Sequence, residues 1–182
     1  MRKILILSLL LALLAGGAEA QQTPWEHYLP TDEMTGGKDY RREKVGTVTN
    51  IEKSSHYAGL IVFCGSGEIT FVVGSDDEPP LKLDATNPGE KYEFTKIRTK
   101  FDNNEPTLRL FHIDSRTHNS AVFPNLDEPK INKIWKELIK GMIKHHRLWI
   151  EFQAQNVPHI AKFDLTGFSR ELAKCSKIPD TN

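Results

Sequence analysis

Cys64 and Cys175 are the two cysteines of the chain and the first residues to consider for chemistry. A reactive thiolate needs an electropositive, partly exposed setting. Cys64 instead ends the apolar run GLIVFC. Cys175 follows Phe168 and Leu172 at i+7 and i+3, on what would be the buried face of a short helix. Both sulfur atoms are therefore expected to face the apolar interior. We predict a structural disulfide, which closes a loop of about 110 residues and stabilises the fold by on the order of 4–5 kcal/mol.

The histidines are the candidate metal ligands and general bases. They are His27, His56, His112, His118, His145, His146 and His159. None stands four residues from another, which is the spacing that brings two imidazoles to one face of a helix. The sequence therefore predicts no metal site and no cofactor. His112 and His118 flank a loop, and with Asp114 they are the starting points for an alternative interpretation, a hydrolase whose site is assembled from loops.

The acidic clusters lie in turn-like segments. We interpret Asp76–Glu78 and Asp102–Glu105 as solvated turns. Neither has the alternating Asp or Asn, the glycine and the distal glutamate of a calcium loop. Gly65-Ser66-Gly67 is shorter than a nucleophile elbow, and no glycine pattern typical of phosphate or dinucleotide binding is present. The sequence predicts a protein that is not an enzyme.

Trp149 is the candidate binding residue. It falls between Arg147 and Glu151 on the polar face of a strand-like segment, RLWIEF. A tryptophan there can pack beneath a loop or a neighbouring sheet. It can also anchor a partner, since tryptophan is enriched at binding hot spots. Both interpretations are open at the level of the sequence.

Residues 1–20 have the three parts of a secretory signal peptide. Arg2 and Lys3 are basic, and Ile4–Ala15 is an apolar run of twelve residues. Ala18-Glu19-Ala20 fits a cleavage site. The apolar run is too short to span a bilayer comfortably as a helix. We predict cleavage after Ala20 and a periplasmic or secreted mature protein without a membrane span, in a setting where cysteines become oxidised.

The near-neutral net charge of the predicted mature chain bears on which kinds of partner it can bind. Removing Arg2, Lys3 and Glu19 with the signal leaves 22 basic and 23 acidic side chains in a mature chain of 162 residues. A net charge of −1 gives no field that steers nucleic acid or an anionic membrane. We therefore predict no nucleic-acid binding and expect a protein or cell-envelope partner. The sequence makes no prediction of the oligomeric state.

The middle of the chain reads as strands connected in hairpins. Residues 21–44 are expected to form an irregular arm, and residues 115–126 a loop. A change of apolar phase between Phe94 and Ile97 predicts a bulge. The predicted strands are Val45–Ile51, Gly59–Cys64, Glu68–Val73, Tyr92–Phe101, Thr107–Ile113, Arg147–Gln153 and Ile160–Leu165.

Two helices complete the prediction. The longer one is amphipathic, with Asp127 as N-cap and Pro129 in its first turn. Its apolar stripe, at helical spacing, is Ile131, Ile134, Trp135, Leu138, Ile139, Met142 and Ile143. A short C-terminal helix follows Thr166 as its N-cap. The predicted fold class is α+β, mainly antiparallel hairpins with one long amphipathic helix, a short C-terminal helix and one disulfide. It forms a single β-rich domain over residues 45–178 and ends in a tail, 179–182.

The last third of the chain resembles the TagO/VasI-like family of small periplasmic proteins that accompany type VI secretion systems. The similar elements are a helix (KELIKGMIKHH), a strand (RLWIEF) and the segment AKFDLTGFSRELAKC. The matching residues are Phe163, Asp164, Gly167, Leu172 and Cys175, with Asp32, Met34, Thr35 and GLIVFC similar in order and spacing. The resemblance implies an exported accessory role without catalysis.

These observations favour a non-catalytic exported accessory or binding protein, and the resemblance adds association with a secretion system as an expectation. Two alternatives stay open. One is a periplasmic inhibitor or immunity protein, in which a loop at Pro79-Pro80 or Asn103-Asn104 would present a key side chain. The other is the envelope hydrolase with a site assembled from loops.

Overall fold

A single antiparallel sheet of nine strands dominates the molecule. The structure is a computed structural model that describes residues 22–31, 35–40, 42–52, 55–66, 68–75, 81–114, 117–123 and 129–176. The strands are β1 (Glu26–Tyr28), β2 (Lys44–Asn50), β3 (His56–Phe63), β4 (Ile69–Ser75), β5 (Phe94–Phe101), β6 (Thr107–Ile113), β7 (Ser120–Phe123), β8 (Arg147–Ala154) and β9 (Val157–Asp164). Within the described residues there are two short helices, α1 (Pro129–Lys144) and α2 (Phe168–Leu172).

The strands lie in the order β1-β2-β3-β4-β7-β6-β5-β8-β9, and the last strand, β9, returns to the end of β2. Just beyond β2, Ile51 pairs with Ala161 of β9, and the N–H of Glu52 donates to the carbonyl of Ile160 at 3.0 Å. The sheet is therefore closed between β2 and β9. Closure removes the edge that either strand would otherwise expose.

The interior of the closed sheet is filled by every second side chain of each strand, as the alternation of a pleated strand requires. The largest of these buried side chains are Leu60, Ile69, Phe71, Ile97, Phe111, Ile113, Phe152 and Phe163. The disulfide Cys64–Cys175 closes one end, with an S–S distance of 2.05 Å. The predictions of a mainly antiparallel β fold and of this disulfide are confirmed.

The arm before β2 belongs to the fold, although residues 21–44 were expected to be irregular. β1 pairs with β2 from Glu26↔Gly46 to Tyr28↔Lys44. Trp25 is 3 % exposed, and its indole Nε1 donates to the carbonyl of Asp164 at 2.7 Å. A strand of three residues is too short to show an alternating pattern, so β1 left no signal in the sequence.

The side chain of Gln22 completes the contact between the arm and β9. Its amide Nε2 donates to the carbonyl of Asp164 at 2.8 Å, and its Oε1 accepts from the N–H of Asp164. The amide thus pairs with Asp164 as a peptide group of a neighbouring strand would. Backbone groups of β9 that closure leaves unpaired are satisfied in this way.

The prediction of one long amphipathic helix is not supported. Leu138, Ile139 and Met142 of α1 are buried, but Ile143 is 43 % exposed. Ile143 follows Met142 by about 100° around the helix and so points away from the interior. The rest of the predicted stripe and the predicted N-cap, Ile131, Ile134, Trp135 and Asp127, lie where no side chain is described.

Three further local predictions need correction. β5 pairs with β6 without interruption from Phe94↔His112 to Thr99↔Thr107, so the bulge is wrong; Phe94 points outward, where its ring lies 5.7 Å from that of His112. The expected loop contains β7, which joins β4 to β6. The N-cap of α2 is Gly167 in the left-handed conformation rather than Thr166, because the chain turns there with φ of 88°.

Some predictions fall outside the described residues. These are the signal peptide with its cleavage point at Ala20, the acidic segment 76–78, Pro79-Pro80 and the tail 179–182. No helix within the described residues is both long and apolar enough to cross a membrane.

Asp102 fastens the turn after β5 to the corner between α1 and β8. Its carboxylate accepts from the N–H of Arg147 at 2.9 Å and lies 2.8 Å from Nδ1 of His145. Its φ of 45° is left-handed, which aspartate tolerates better than most residues. Desolvation raises the pKa of Asp102, but the hydrogen bonds from His145, Arg147 and His146 outweigh it and hold this pKa below its usual value. The segment is therefore not simply a solvated turn, because Asp102 ties it to α1 and β8. We call this set of hydrogen bonds the Asp102 clasp.

Replacing Trp25 tests whether the arm is part of the cooperative fold. We expect Trp25→Ala to lower the free energy of unfolding by about 3–5 kcal/mol, because it removes a buried indole. Trp25→Phe keeps a ring against Phe168, 4.7 Å away, but loses the hydrogen bond, and should cost about 1 kcal/mol. Urea denaturation measures both. Tyr28→Ala, at an exposed side chain of β1, is the control; a Trp25→Ala variant as stable as this control would contradict the role of the arm.

The lowered pKa of Asp102 predicts how stability depends on pH. A carboxylate whose pKa is lower in the folded than in the unfolded state stabilises the fold above the unfolded value, which is about 3.9 for aspartate. That contribution is lost as the pH falls through the folded pKa. We expect Asp102→Asn to lower stability at pH 7 and to reduce the loss of stability as the pH falls below about 4. Thermal melting across this range measures it, with Glu105→Gln in the same exposed turn as control. Parallel curves for wild type and Asp102→Asn would argue against the clasp.

Candidate functional site

The outer surface of β5, β8 and β9 forms a shallow depression of about 240 Å³ centred on Trp149. We call it the Trp149 face. Its residues are Glu52, Arg98, Lys100, Pro106, Trp149, Glu151, Ile160 and Lys162. The sheet register determines this arrangement, since outward side chains on neighbouring antiparallel strands stand directly opposite one another.

Trp149 lies between two lysines. It is paired across β5 with Lys100 and across β9 with Lys162. The Nζ atoms of these lysines lie 4.6 and 5.7 Å from the centre of the Trp149 ring. Both distances are within the range of a cation–π interaction. Trp149 therefore lies half-buried on the outer sheet surface, beneath two ammonium groups.

Ion pairs border this tryptophan and set the charge of the face. Arg98 contacts both carboxylate oxygens of Glu151, at 3.2 and 3.1 Å, and Lys162 pairs with Glu52. Lys100 has no ion-pair partner among the described carboxylates. The face thus presents positive charge in excess, although the chain as a whole is nearly neutral.

Exposed apolar side chains continue the Trp149 face across β5 and β6. Leu108 is 58 % exposed and Leu110 is 54 % exposed, beside the outward Phe94 at 37 %. Lys96 and Arg98 of β5 stand opposite these two leucines. Exposed apolar groups that form a contiguous surface, rather than isolated positions, mark interaction sites. Sequence reasoning identified Trp149 but missed this extension, because the predicted bulge put the outward side of β5 in the wrong phase.

A second groove lies on the outer surface of β1–β4. Gly46 and Gly59 contribute no side chain, so that Val48, Tyr57 and Tyr28 stand up around them. The volume is about 560 Å³. Its charged groups are Glu26 and Lys44, and the latter lies 5.5 Å from the ring of Tyr28. This groove therefore lacks the concentration of positive charge found on the Trp149 face.

A compact cluster of polar side chains lies around the disulfide and, unlike the Trp149 face, is largely buried. We call it the disulfide corner, formed by His27, Glu43, Cys64, Cys175 and Ser176. A ring nitrogen of His27 and the two sulfur atoms lie within 4.8 Å of one another. Among the described histidine, cysteine and carboxylate side chains, these three place their ligand atoms close enough together to share a metal ion. It was not predicted, because His27 is far from both cysteines in sequence and reaches them only through β1.

Glu43 is the buried acid of the disulfide corner. Its side chain is 2 % exposed, and its Oε1 lies 2.9 Å from Nε2 of His27. The N–H of Ser176 donates to the same oxygen at 3.0 Å, and the Ser176 hydroxyl donates to Oε2. Desolvation raises the pKa of Glu43, but the hydrogen bonds from Ser176 and His27 outweigh it, so the pKa lies below its usual value.

The two histidines proposed for a hydrolase contact different groups. His112 lies on the outer surface, with its ring 5.7 Å from those of Tyr92 and Phe94. His118 instead approaches the buried Glu93, with Nε2 3.1 Å from its Oε2. That contact has the distance of an ion pair without the alignment of a hydrogen bond, so this oxygen has no hydrogen-bond partner. For Asp114, the backbone carbonyl accepts from the N–H of His118.

In comparisons with known proteins, no family model, curated protein or solved structure matches the chain.

The contact between Lys100 and Trp149 should be measurable as a coupling energy. In a double-mutant cycle of Lys100→Ala and Trp149→Leu, we expect about 0.5–1 kcal/mol from urea denaturation. The Lys162→Ala and Trp149→Leu cycle should give less, because the Lys162 ammonium is farther from the ring and is shared with Glu52. Zero coupling in the Lys100 cycle would mean that the ammonium does not rest over the ring in solution.

Proposed function

We propose that this chain is an exported, non-catalytic binding protein that holds a protein partner of the cell envelope on the Trp149 face. The observation that carries the proposal is the outward Trp149 between Lys100 and Lys162, continuous with exposed apolar side chains on β5 and β6. Tryptophan and arginine are the residues most often found at the centres of protein interfaces. The predicted signal peptide and the disulfide favour a location outside the cytosol.

The partner that fits this face offers apolar side chains beside carboxylates. Basic and apolar side chains alternate on this face. The basic ones are Lys96, Arg98, Lys100 and Lys162, and the apolar ones are Phe94, Leu108, Leu110 and Ile160. The apolar side chains of such a partner would fill the depression, and its carboxylates would neutralise the excess positive charge. Opposite charge on the two surfaces favours fast association and a defined orientation. The resemblance to the TagO/VasI-like family supports an accessory role at the envelope, and association with a secretion system is part of this proposal.

The alternatives differ in what the partner would be. A hydrolase needs a set of converging polar groups. His112 instead contacts the rings of Tyr92 and Phe94, which argues against that role for it. An inhibitor or immunity protein uses the same kind of face but binds one enzyme and blocks its activity. The identity of the partner separates these roles, and an accessory role predicts a partner whose activity is unchanged by binding.

The decisive experiment is capture of partners from envelope extract under non-reducing conditions, with four versions of the mature protein in parallel. Wild type should retain one stoichiometric partner. Trp149→Ala should weaken its binding by about 30-fold or more, the loss of a hot-spot side chain. The double variant Lys100→Glu, Lys162→Glu should slow association and remove most of its salt dependence.

Lys82→Glu, a charge reversal at an exposed side chain outside the Trp149 face, is the matched control and should bind as wild type does. Thermal melting of each variant separates loss of binding from loss of folding. A partner that binds Trp149→Ala as tightly as wild type would overturn the assignment of the face. Absence of any stoichiometric partner would overturn the proposed function.

A further inference from the structure

We propose that the disulfide corner, once the Cys64–Cys175 bond is reduced, binds one thiophilic metal ion of the Zn²⁺ class through both thiolates and a ring nitrogen of His27. The observation behind it is the position of these three ligand atoms within 4.8 Å of one another. This inference is independent of the Trp149 face, which lies on the outer surface of other strands.

The ligand types agree with a soft or borderline metal ion. Two thiolates and one imidazole are three of the four positions in tetrahedral zinc sites, with Zn–S of about 2.3 Å and Zn–N of about 2.0 Å. Two thiolates on one such ion lie about 3.7 Å apart, which follows from the tetrahedral angle. The Cα atoms of Cys64 and Cys175 are 5.5 Å apart, so rotation of the side chains suffices to reach this separation.

The ligands are held by separate parts of the fold. His27 comes from the middle of β1, and Cys64 directly follows β3. The N–H of Cys64 donates to the carbonyl of Glu43 at 2.9 Å, and the N–H of Ser176, next to Cys175, donates to the Glu43 carboxylate at 3.0 Å. Both contacts are independent of the disulfide, so Glu43 holds the two cysteine-bearing segments together when the bond is open.

Glu43 supplies the support that metal-binding histidines usually have. A carboxylate hydrogen-bonded to one ring nitrogen orients the imidazole and makes it a better ligand. Glu43 makes such a bond to Nε2 of His27 at 2.9 Å and is itself fixed by Ser176, which leaves Nδ1 as the nitrogen that would bind the metal ion. Buried and hydrogen-bonded from both sides, it positions His27 without needing to contact the metal ion.

The chemistry balances as two separate steps. A dithiol reductant gives two electrons and two protons to the disulfide, which becomes two thiols while the reductant becomes a disulfide. Zn²⁺ then binds both sulfur atoms and displaces their two protons to water. In the reverse direction a disulfide oxidant takes two electrons from the thiolates and becomes a dithiol with two protons from water, while the Cys64–Cys175 bond re-forms and the ion is released. The corner is thus closed either by a sulfur–sulfur bond or by a metal ion, and both tie the segment after α2 to the sheet.

The test titrates the full mature chain with Co²⁺ alone, after reduction by a phosphine, which is itself converted to the phosphine oxide with oxygen from water. We expect one Co²⁺ per chain, with the visible bands of tetrahedral cobalt and a thiolate charge-transfer band, and displacement by Zn²⁺. The oxidised protein should give neither. Glu43→Gln should weaken binding by about 10–100-fold, as losses of such orienting partners do.

The variants identify the ligands. Cys64→Ser should abolish the charge-transfer intensity from one thiolate, and His27→Ala should weaken binding by at least about tenfold. His56→Ala, on β3 and outside the corner, should bind as wild type does. Near-ultraviolet circular dichroism follows the fold throughout. Octahedral cobalt spectra, equal affinity of wild type and His27→Ala, or a reduced chain that has unfolded and does not refold with Zn²⁺ would each overturn the proposal.

Discussion

The backbone of Asp164 joins the beginning of the described chain to its last strand, and the closed sheet depends on this junction. Its carbonyl accepts from both the Gln22 amide and the Trp25 indole. Together with the pairing of Ile51 and Ala161, these contacts replace the hydrogen bonds that an open sheet would offer to water. A sheet so closed has a single interior that excludes water, and hydrophobic burial there is the main source of its stability.

Closure also divides the chemistry of the molecule between outside and inside. Outward positions carry the paired charges and the tryptophan of the Trp149 face, where interactions are screened and individually small. The disulfide corner sits at the end of the interior, where Glu43 must be fully hydrogen-bonded because it has left water. The Trp149 face suits recognition of another protein. The disulfide corner suits a covalent bond or a bound metal ion that joins the segment after α2 to the sheet.

Features that rest on a local pattern or on a residue count could be predicted from the sequence, and the other contacts between distant segments could not. The hairpin of β5 and β6 and the pairing of Cys64 with Cys175 follow from local pattern and from a cysteine count of two. β1 and β7 are three and four residues long, so they depend on their neighbours rather than on their own composition. Trp149 was found because it breaks an alternation. His27 could not be placed beside the cysteines without knowing that β1 pairs with β2.

The junction at Asp164 has a consequence for the order in which the molecule assembles. Gln22 and Asp164 are 142 residues apart in sequence, so this junction cannot form until nearly the whole chain is present. Contacts between residues so far apart in sequence form slowly, because the entropy cost of closing the loop comes before the contact contributes any stabilisation. The contact between the end of β2 and β9 is therefore expected to be among the last parts of the sheet to form, after β1 has already paired with β2.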